Sequence, residues 1–267
     1  MNNPISKWLA ILALLITTTA SGAGFSIGGK AYPSLQAALD AAKHGDKVEV
    51  APGEYHEAGI VRASGLTLAF STAAKFSGVA AVGKAMLVIK GNDTTVTGLD
   101  CSEIGVPGGN GACIRLEGRN LNLDRVHFHD SEQGILGGGD GGQILITDSL
   151  FERLGAGGSA HGIYVAADRV LIRNSRILAS QGEGHEVKTR ARETVIESSV
   201  IASLGGVDSR LIDISNGGIL KVTGSVLQKG PISSNLIVGS SADPVPAGTT
   251  PKRYRASAGL PPPGKHP

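Results

Sequence analysis

Apolar residues recur along the chain at a nearly constant spacing. Two series of them run through the sequence in steps of 21 to 28 residues. The first series is Leu87, Ile114, Ile135, Ile163, Val187, Ile212 and Ile237. The second series is Val96, Leu123, Ile146, Ile172, Ile196 and Val222, each followed five residues later by another apolar residue: Cys101, Phe128, Phe151, Ile177, Ile201 and Leu227. A repeat of about 25 residues predicts stacked coils, each made of three short strands around a narrow core.

A polar position also repeats, three residues after the second series. It settles to serine at Ser149, Ser175, Ser199 and Ser225. Identical side chains stack in this way when parallel strands lie in register, about 4.8 Å apart. Gly-rich segments such as residues 137–142 fall between the strands and are predicted to be loops. The predicted fold class is therefore all-β, a right-handed parallel β-helix solenoid over residues 24–240.

The two ends of the solenoid have different sequences. Residues 32–44 predict a short N-terminal capping helix with Ser34 as its N-cap. Its apolar face is predicted to consist of Leu35, Ala38, Leu39 and Ala42. Residues 241–267 are rich in Pro, Gly, Ser and basic residues, so they cannot bury much apolar surface and are predicted to be a disordered tail.

Residues 1–23 have the pattern of a secretory signal peptide. Lys7 precedes an apolar run over residues 8–16, and the small residues Ser21 and Ala23 suit cleavage after Ala23. The run is too short to cross a bilayer, which needs about 20 residues, so no transmembrane segment is expected after cleavage. A retained membrane anchor is the alternative. We expect a periplasmic or secreted protein.

Export also bears on the two cysteines of the sequence, Cys101 and Cys113. An oxidising compartment permits a disulfide between them, but free cysteine also packs well as a small buried residue. Both alternatives stay open at this point. The formal net charge is only +2, and no basic stripe interleaved with aromatic residues is present, so nucleic acid is not an expected partner. We expect a monomer.

Two segments resemble known β-helix proteins. Residues 32–55, YPSLQAALDAAKHGDKVEVAPGEY, resemble the N-terminal part of pectate-lyase-like parallel β-helix proteins, where a cap helix leads into a Pro-Gly turn. Residues 184–199, GHEVKTRARETVIESS, and residues 213–218, DISNGG, resemble a block of exported bacterial β-helix proteins. The resemblance implies an acidic polysaccharide as the partner, lying along a groove on the flank of the solenoid.

A third resemblance concerns a single strand. Val187-Lys188-Thr189 is similar to the K-[ST] strand of the chondroitinase B and alginate lyase family, which implies that Lys188 is the catalytic base. That family has an arginine at the matching place on the next coil. Here the matching positions begin at Asp213, and the nearest arginine is Arg210.

The repeat places polar residues beside one another. The positions that follow the first series are predicted to face solvent; they are Val88, Arg115, Leu136, Tyr164, Lys188, Asp213 and Val238. Arg190 lies two residues beyond Lys188. His161 and His185 precede the first series by two residues and are expected to stack, and Arg210 takes the equivalent place one coil later.

This set contains the groups that a polyuronate lyase needs. Lys188 or a histidine could be the base at C5, Arg190 or Arg210 the group that neutralises the carboxylate, and Tyr164 or His161 the acid. His185 completes the predicted catalytic set, and Arg210, Asp213 and Arg115 are predicted to bind substrate. Epimerisation is a close chemical relative of the lyase reaction, since both begin with abstraction of the C5 proton.

Other interpretations remain. The protein could instead bind or guide polysaccharide during export without catalysis, or be a scaffold whose basic tail docks on a partner. Lys188 and Asp213 could form an ordinary ion pair. A polygalacturonase-type hydrolase is disfavoured because paired aspartates are missing.

No cofactor is expected. A Ca²⁺ site would need clustered carboxylates, and Asp140 with Asp148 is too small a set. His127 and His129 alternate on one predicted strand near Asp124 and Asp130. Metal ligation there is conceivable, but we interpret these histidines as part of a solvated face and predict no metal site.

Overall fold

The computed structural model describes residues 24–139 and 141–233, together with the backbone of one strand at residues 235–239. The predicted signal peptide, the predicted tail and Asp140 lie outside the described residues. Within the described part of the chain, no helix is long and apolar enough to cross a membrane.

The described chain is almost entirely β-structure, with one short helix, α1 (Leu35–Ala41). The strands, in chain order, are β1 (Phe25–Ile27), β2 (Lys30–Tyr32), β3 (Lys47–Val50), β4 (Gly53–Tyr55), β5 (Gly59–Val61), β6 (Thr67–Phe70), β7 (Ala74–Ser77), β8 (Ala85–Ile89), β9 (Thr94–Thr97), β10 (Asp100–Ser102), β11 (Ala112–Leu116), β12 (Leu121–Asp124), β13 (His127–His129), β14 (Gln133–Gly138), β15 (Gln143–Thr147), β16 (Leu150–Glu152), β17 (Ile163–Ala166), β18 (Arg169–Arg173), β19 (Arg176–Leu178), β20 (His185–Thr189), β21 (Glu193–Glu197), β22 (Val200–Ala202), β23 (Arg210–Ile214), β24 (Ile219–Thr223), β25 (Val226–Gln228) and β26 (Asn235–Gly239).

From β3 onwards the strands form three parallel sheets, because each strand pairs with the strand three places further along the chain. The first sheet has the order β2-β1-β3-β6-β9-β12-β15-β18-β21-β24. The second sheet runs in steps of three from β4 to β25, and the third sheet runs in the same way from β5 to β26. This is the predicted right-handed parallel β-helix.

The two apolar series of the sequence, and the series from Cys101 to Leu227 that follows the second, define the register of these three sheets. Leu87 pairs with Ile114 and then Ile135 along the third sheet, and the remaining members of that series follow in the same register. The second series follows the first sheet, and the series from Cys101 to Leu227 follows the second sheet. Nearly all described members are fully buried, so the core is a stack of aligned apolar side chains.

The predicted serine series forms a ladder at the turn between the first and second sheets. The Ser175 hydroxyl accepts a hydrogen bond from the Ser149 backbone N–H at 3.2 Å, and Ser199 and Ser225 do the same for the coil before them. Each hydroxyl also donates to the carbonyl two residues before it. The residue before each serine has a positive φ, for example 50° at Asn174, which turns the chain sharply enough to aim the hydroxyl along the solenoid.

The N-terminal cap forms as predicted. The Ser34 hydroxyl accepts from the Ala37 N–H at 3.1 Å, and the Glu57 carboxylate accepts from the Leu35 N–H at 2.7 Å. The antiparallel strands β1 and β2 complete the cover, since β1 pairs with the first parallel strand, β3. The first sheet is thereby extended at this end by two antiparallel strands, and β2 becomes its outer strand.

Cys101 of β10 and Cys113 of β11 form a disulfide, so of the two alternatives for these cysteines the structure contains the bridge. It joins consecutive strands of the second and third sheets within one coil.

The prediction that every position after the first series faces solvent is wrong at two places. Val88 is fully buried with Ala85 and Ala112, because Ala81 bridges to Ala85 and folds the chain over this part of the third sheet. Asp213 is only 5% exposed, because neighbouring polar side chains cover it. The outer face of the third sheet is therefore partly covered, and its polar residues are less hydrated than predicted.

Candidate active site

The third sheet brings most of the predicted site residues together. Tyr164 of β17 pairs with Lys188 of β20, and Lys188 pairs with Asp213 of β23. His185 pairs with Arg210 in the same two strands. Successive parallel strands lie about 4.8 Å apart, so residues from three coils share one flank. The juxtaposition predicted from the repeat is therefore present.

Arg115 is separate from this group. Its register partners are Val88 on one side and Leu136 on the other, and Leu136 in turn pairs with Tyr164. Two strand spacings, about 10 Å, thus lie between the backbone of Arg115 and that of Tyr164. The structure does not place Arg115 with the other predicted site residues.

The two histidines are neighbours on successive coils as predicted, with their rings tilted by 31°, but they are buried. Their ring centroids are 4.5 Å apart, and His161 is 1% exposed. The backbone N–H of His185 donates to Nδ1 of His161 at 3.0 Å. The coils approach closely here: a Cβ on Gly162 would lie 2.6 Å from the Glu186 carbonyl oxygen, so glycine is required beside His161.

Lys188 points towards His161 and Tyr164. Its Nζ lies 3.4 Å from Nε2 of His161 and 4.7 Å from the centroid of the Tyr164 ring. The guanidinium of Arg190 contacts the same ring at 5.3 Å. The Tyr164 ring therefore contacts two basic side chains, those of Lys188 and Arg190.

Asp213 has partners other than Lys188. Its Oδ2 lies 3.2 Å from Nε2 of His185 and 3.4 Å from a guanidinium nitrogen of Arg210, and Ser215 Oγ donates to its Oδ1 at 3.2 Å. Among the described residues, no carboxylate lies within 4.0 Å of the Lys188 ammonium. The ion pair considered for Lys188 and Asp213 is thus not formed.

Burial favours the uncharged form of the basic groups in this site. It lowers the pKa of His161 to about 3, assisted by His185 and Lys188. It also lowers the pKa of His185, against the opposing effect of Asp213. Burial lowers the pKa of the Lys188 ammonium too, and the charges of Arg190 and Arg210 add to this effect against Asp213.

The hydrogen bond at Nδ1 fixes the tautomer of His161. Because Nδ1 accepts the backbone N–H of His185, the proton of the neutral ring is on Nε2. That N–H faces Nζ of Lys188 at 3.4 Å. An ammonium has only hydrogen-bond donors, so the His161 N–H destabilises the charged form of Lys188. A free amine has a lone pair that accepts this N–H, so the contact stabilises the neutral form.

A buried acid, Glu186, lies beside this site and was not predicted from the sequence. Glu186 is fully buried on β20, and both of its oxygens are held by Ser180: Oε1 accepts the backbone N–H at 2.8 Å and Oε2 contacts the hydroxyl at 2.7 Å. Burial raises its pKa to about 8, aided by the charge of Asp208. The strand pattern predicts only that residues next to Val187 point away from it, and gives no signal that one of them is enclosed.

A second polar group, on the outer face of the second sheet, was also missed in part. Asp100 pairs with His127, and both histidines of β13 lie beside its carboxylate. These residues line one wall of a cavity of about 410 Å³. The signal was available, because Asp100 and His127 precede Cys101 and Phe128, two members of one apolar series.

Comparison with family models, curated proteins and solved structures gives no match to this chain. The interpretation of its function therefore depends on the residues and geometry described above.

Proposed function

We propose that this protein is an exported enzyme of the pectate-lyase-like superfamily that acts on an acidic, uronic-acid-containing polysaccharide by abstracting the C5 proton, with Lys188 as the base. The observation that carries the proposal is the Nε2–H of His161 facing Nζ of Lys188 at 3.4 Å, since this contact stabilises the free amine. An ordinary lysine, with a pKa of about 10.4, would be protonated at neutral pH and unable to accept a proton.

The reaction would proceed by β-elimination. Nζ of Lys188 releases the His161 N–H, turns its lone pair to the substrate and takes the C5 proton; the electron pair left at C5 forms the C4–C5 double bond, and the C4–O bond breaks. The Tyr164 hydroxyl supplies the proton to the departing oxygen. Arg190 or Arg210 neutralises the uronate carboxylate, which makes the C5 proton more acidic. In the epimerase version the C4–O bond stays intact, and C5 receives a proton on the opposite face.

His185, on the same strand as Lys188, and Asp213 and Arg210, on the next coil, support this arrangement. The backbone of His185 sets the tautomer of His161, and its ring is held by Asp213. Asp213 also holds Arg210 beside the site. We propose that Asp213 positions Arg210 rather than contacting the polymer itself, since the carboxylate is 5% exposed and engaged with three neighbours.

The test is activity on a panel of acidic polysaccharides. A lyase produces an unsaturated uronate that absorbs in the ultraviolet, and an epimerase incorporates solvent deuterium at C5, which NMR detects. We expect Lys188→Ala to lose activity at least about a thousandfold. The control is Lys221→Ala, which removes a surface lysine of the first sheet and should leave turnover unchanged. Full turnover by Lys188→Ala would remove Lys188 as the base.

A second candidate is a non-catalytic module that binds polysaccharide during export. The observation that favours it is the platform formed by Lys188 and Arg190 against the Tyr164 ring, which suits a sugar carboxylate and an apolar sugar face without any chemistry. It predicts that Tyr164→Ala weakens polymer binding while neither polymer length nor stereochemistry changes in the wild-type protein.

Export is part of the proposal and has its own test. The sequence of residues 1–23 supports it, and the Cys101–Cys113 disulfide is consistent with an oxidising compartment. Fractionation of expressing bacteria is expected to recover a mature protein that begins at Gly24 outside the cytoplasm.

A further inference from the structure

The outer face of the second sheet carries a cluster of histidines and carboxylates that the proposed reaction does not use. Asp100 comes from β10, and His127 and His129 come from β13, one coil further along. The two imidazole rings stack with their centroids 4.2 Å apart. The cluster lies on a different sheet from Lys188 and shares no residue with the candidate active site.

Each histidine is held from outside by a carboxylate. Nε2 of His127 lies 3.1 Å from Oε1 of Glu152, and Nδ1 of His129 lies 2.7 Å from Oδ2 of Asp130. Arg153 fixes Asp130 with two contacts of 2.8 Å. A neutral imidazole has one N–H, and in both rings the outer contact is shorter than the contact to Asp100: 3.1 against 3.4 Å for His127 and 2.7 against 3.2 Å for His129. We therefore assign the ring protons to the outer nitrogens.

The inner nitrogens therefore have lone pairs in the neutral rings. His127 Nδ1 lies 3.4 Å from Oδ2 of Asp100, and His129 Nε2 lies 3.2 Å from Oδ1 of the same carboxylate. A cation at this point would contact both inner nitrogens and the carboxylate, while the outer nitrogens keep their contacts to Glu152 and Asp130.

The three inner groups have the form of a metal site. Their donor atoms all lie within 4.8 Å of one another. Histidines that ligate metals commonly donate the other ring N–H to a carboxylate, which fixes the ring and its tautomer. Here both histidines have this support, and Arg153 contacts both supporting carboxylates, Asp130 and Glu152.

We propose that Asp100, His127 and His129 bind a divalent transition metal of the Zn²⁺ class. Two imidazoles and one carboxylate suit Zn²⁺ and Co²⁺, whereas Ca²⁺ and Mg²⁺ prefer a set made of oxygen ligands. The site opens on the cavity of about 410 Å³, so a fourth position is left for water or an oxygen atom of a ligand. The prediction of no metal site from the sequence is thereby replaced by this proposal.

The experiment is a titration of the purified, chelator-treated protein with ZnCl₂ by calorimetry and with CoCl₂ by visible spectroscopy. We expect one bound ion per chain and the intense visible bands of four-coordinate Co²⁺. His127→Gln and Asp100→Asn are expected to weaken Zn²⁺ binding at least about a hundredfold, and Glu152→Gln by about 10- to 100-fold through loss of the outer support.

The matched control is His44→Gln, which removes an exposed histidine far along the chain from the cluster and should bind as the wild type does. Thermal melting of each variant without metal shows whether it is folded. Absence of Zn²⁺ and Co²⁺ binding, or wild-type affinity in His127→Gln, would overturn the proposal. Binding of Ca²⁺ that needs Asp100 but not His127 would overturn the assignment of the metal class.

Discussion

Two pairs of stacked histidines lie on different sheets of this solenoid and have opposite surroundings. His161 and His185 on the third sheet are buried, and burial lowers the pKa of both rings. His127 and His129 on the second sheet are partly exposed and lie between carboxylates. There the hydrogen bond to Asp100 raises the pKa of His129, although burial acts against it.

The groups around a histidine pair determine its protonation and therefore its chemistry. The two pairs arise differently, because His161 and His185 come from successive coils whereas His127 and His129 lie on one strand, yet their ring separations are similar, 4.5 and 4.2 Å. In the buried pair His161 accepts a backbone N–H and faces a lysine, which leaves a neutral ring that donates to an amine, and only His185 contacts a carboxylate, the buried Asp213. In the partly exposed pair every partner is a carboxylate, with Asp100 beside both rings and Glu152 and Asp130 on their outer sides.

The largest effect that separates the two pairs is expected in stability. His185→Ala leaves Asp213 buried without one of its main partners, so we expect a loss of about 3 kcal/mol in the free energy of unfolding. His129→Ala removes exposed ionic contacts and should cost less than about 1 kcal/mol. Urea unfolding of both variants at neutral pH measures this, and equal losses would contradict the contrast between the two environments.

A smaller effect is expected on turnover when the donor to Lys188 is removed. His161→Phe keeps the site apolar but has no N–H, so the Lys188 ammonium is no longer opposed and its pKa rises. Activity requires the free amine, so the acid side of the pH–rate profile should move to higher pH. We expect turnover at neutral pH to fall about a hundredfold.

The control for this change is His161→Gln, whose amide can still donate at the Nε2 position and should retain more activity than His161→Phe. Competitive acylation of the Lys188 amine as a function of pH measures its pKa without any substrate. An unchanged pKa of Lys188 in His161→Phe would show that the ring does not stabilise the free amine.

The last prediction concerns Glu186 and tests whether the buried flank excludes negative charge as well. Its folded-state pKa of about 8 is above the ordinary glutamate value, so its stabilising effect is full below about pH 4.5 and is lost as pH rises towards 8. The unfolding equilibrium constant should rise by up to about tenfold per pH unit in this window from this group alone. Glu186→Gln should flatten this dependence, and an unchanged slope in urea titrations would contradict it.

The sequence predicts the fold well because a solenoid repeats one local rule. Each coil contacts its neighbours, so the spacing of Leu87, Ile114 and Ile135 is already the register of the third sheet. The same spacing predicts that Tyr164 and Lys188 lie side by side. What it does not predict is how deeply such a position is covered, and for this reason Val88 and Asp213 were expected to face solvent.

The chemistry of the candidate sites was less accessible from the sequence. The tautomer of His161 depends on where the backbone N–H of His185 points, which is a matter of turn geometry rather than residue type. The carboxylates around His127 come from three coils, and only Asp130 is adjacent to this strand in sequence. The residues close to His127 in sequence therefore do not include Asp100, the carboxylate of the proposed metal site.

The serine ladder has a consequence for how this protein could change its length. Each serine hydroxyl accepts a hydrogen bond from the backbone of the coil before it. A duplicated coil would therefore make the same hydrogen bonds with the coils on both sides and lengthen the solenoid. Such a duplication of the coil from β24 to β26, which contains Ser225, would leave both sites whole. A coil inserted between β17 and β20 would move Lys188 away from Tyr164. We therefore expect the number of coils to be constrained within the candidate sites and less constrained outside them.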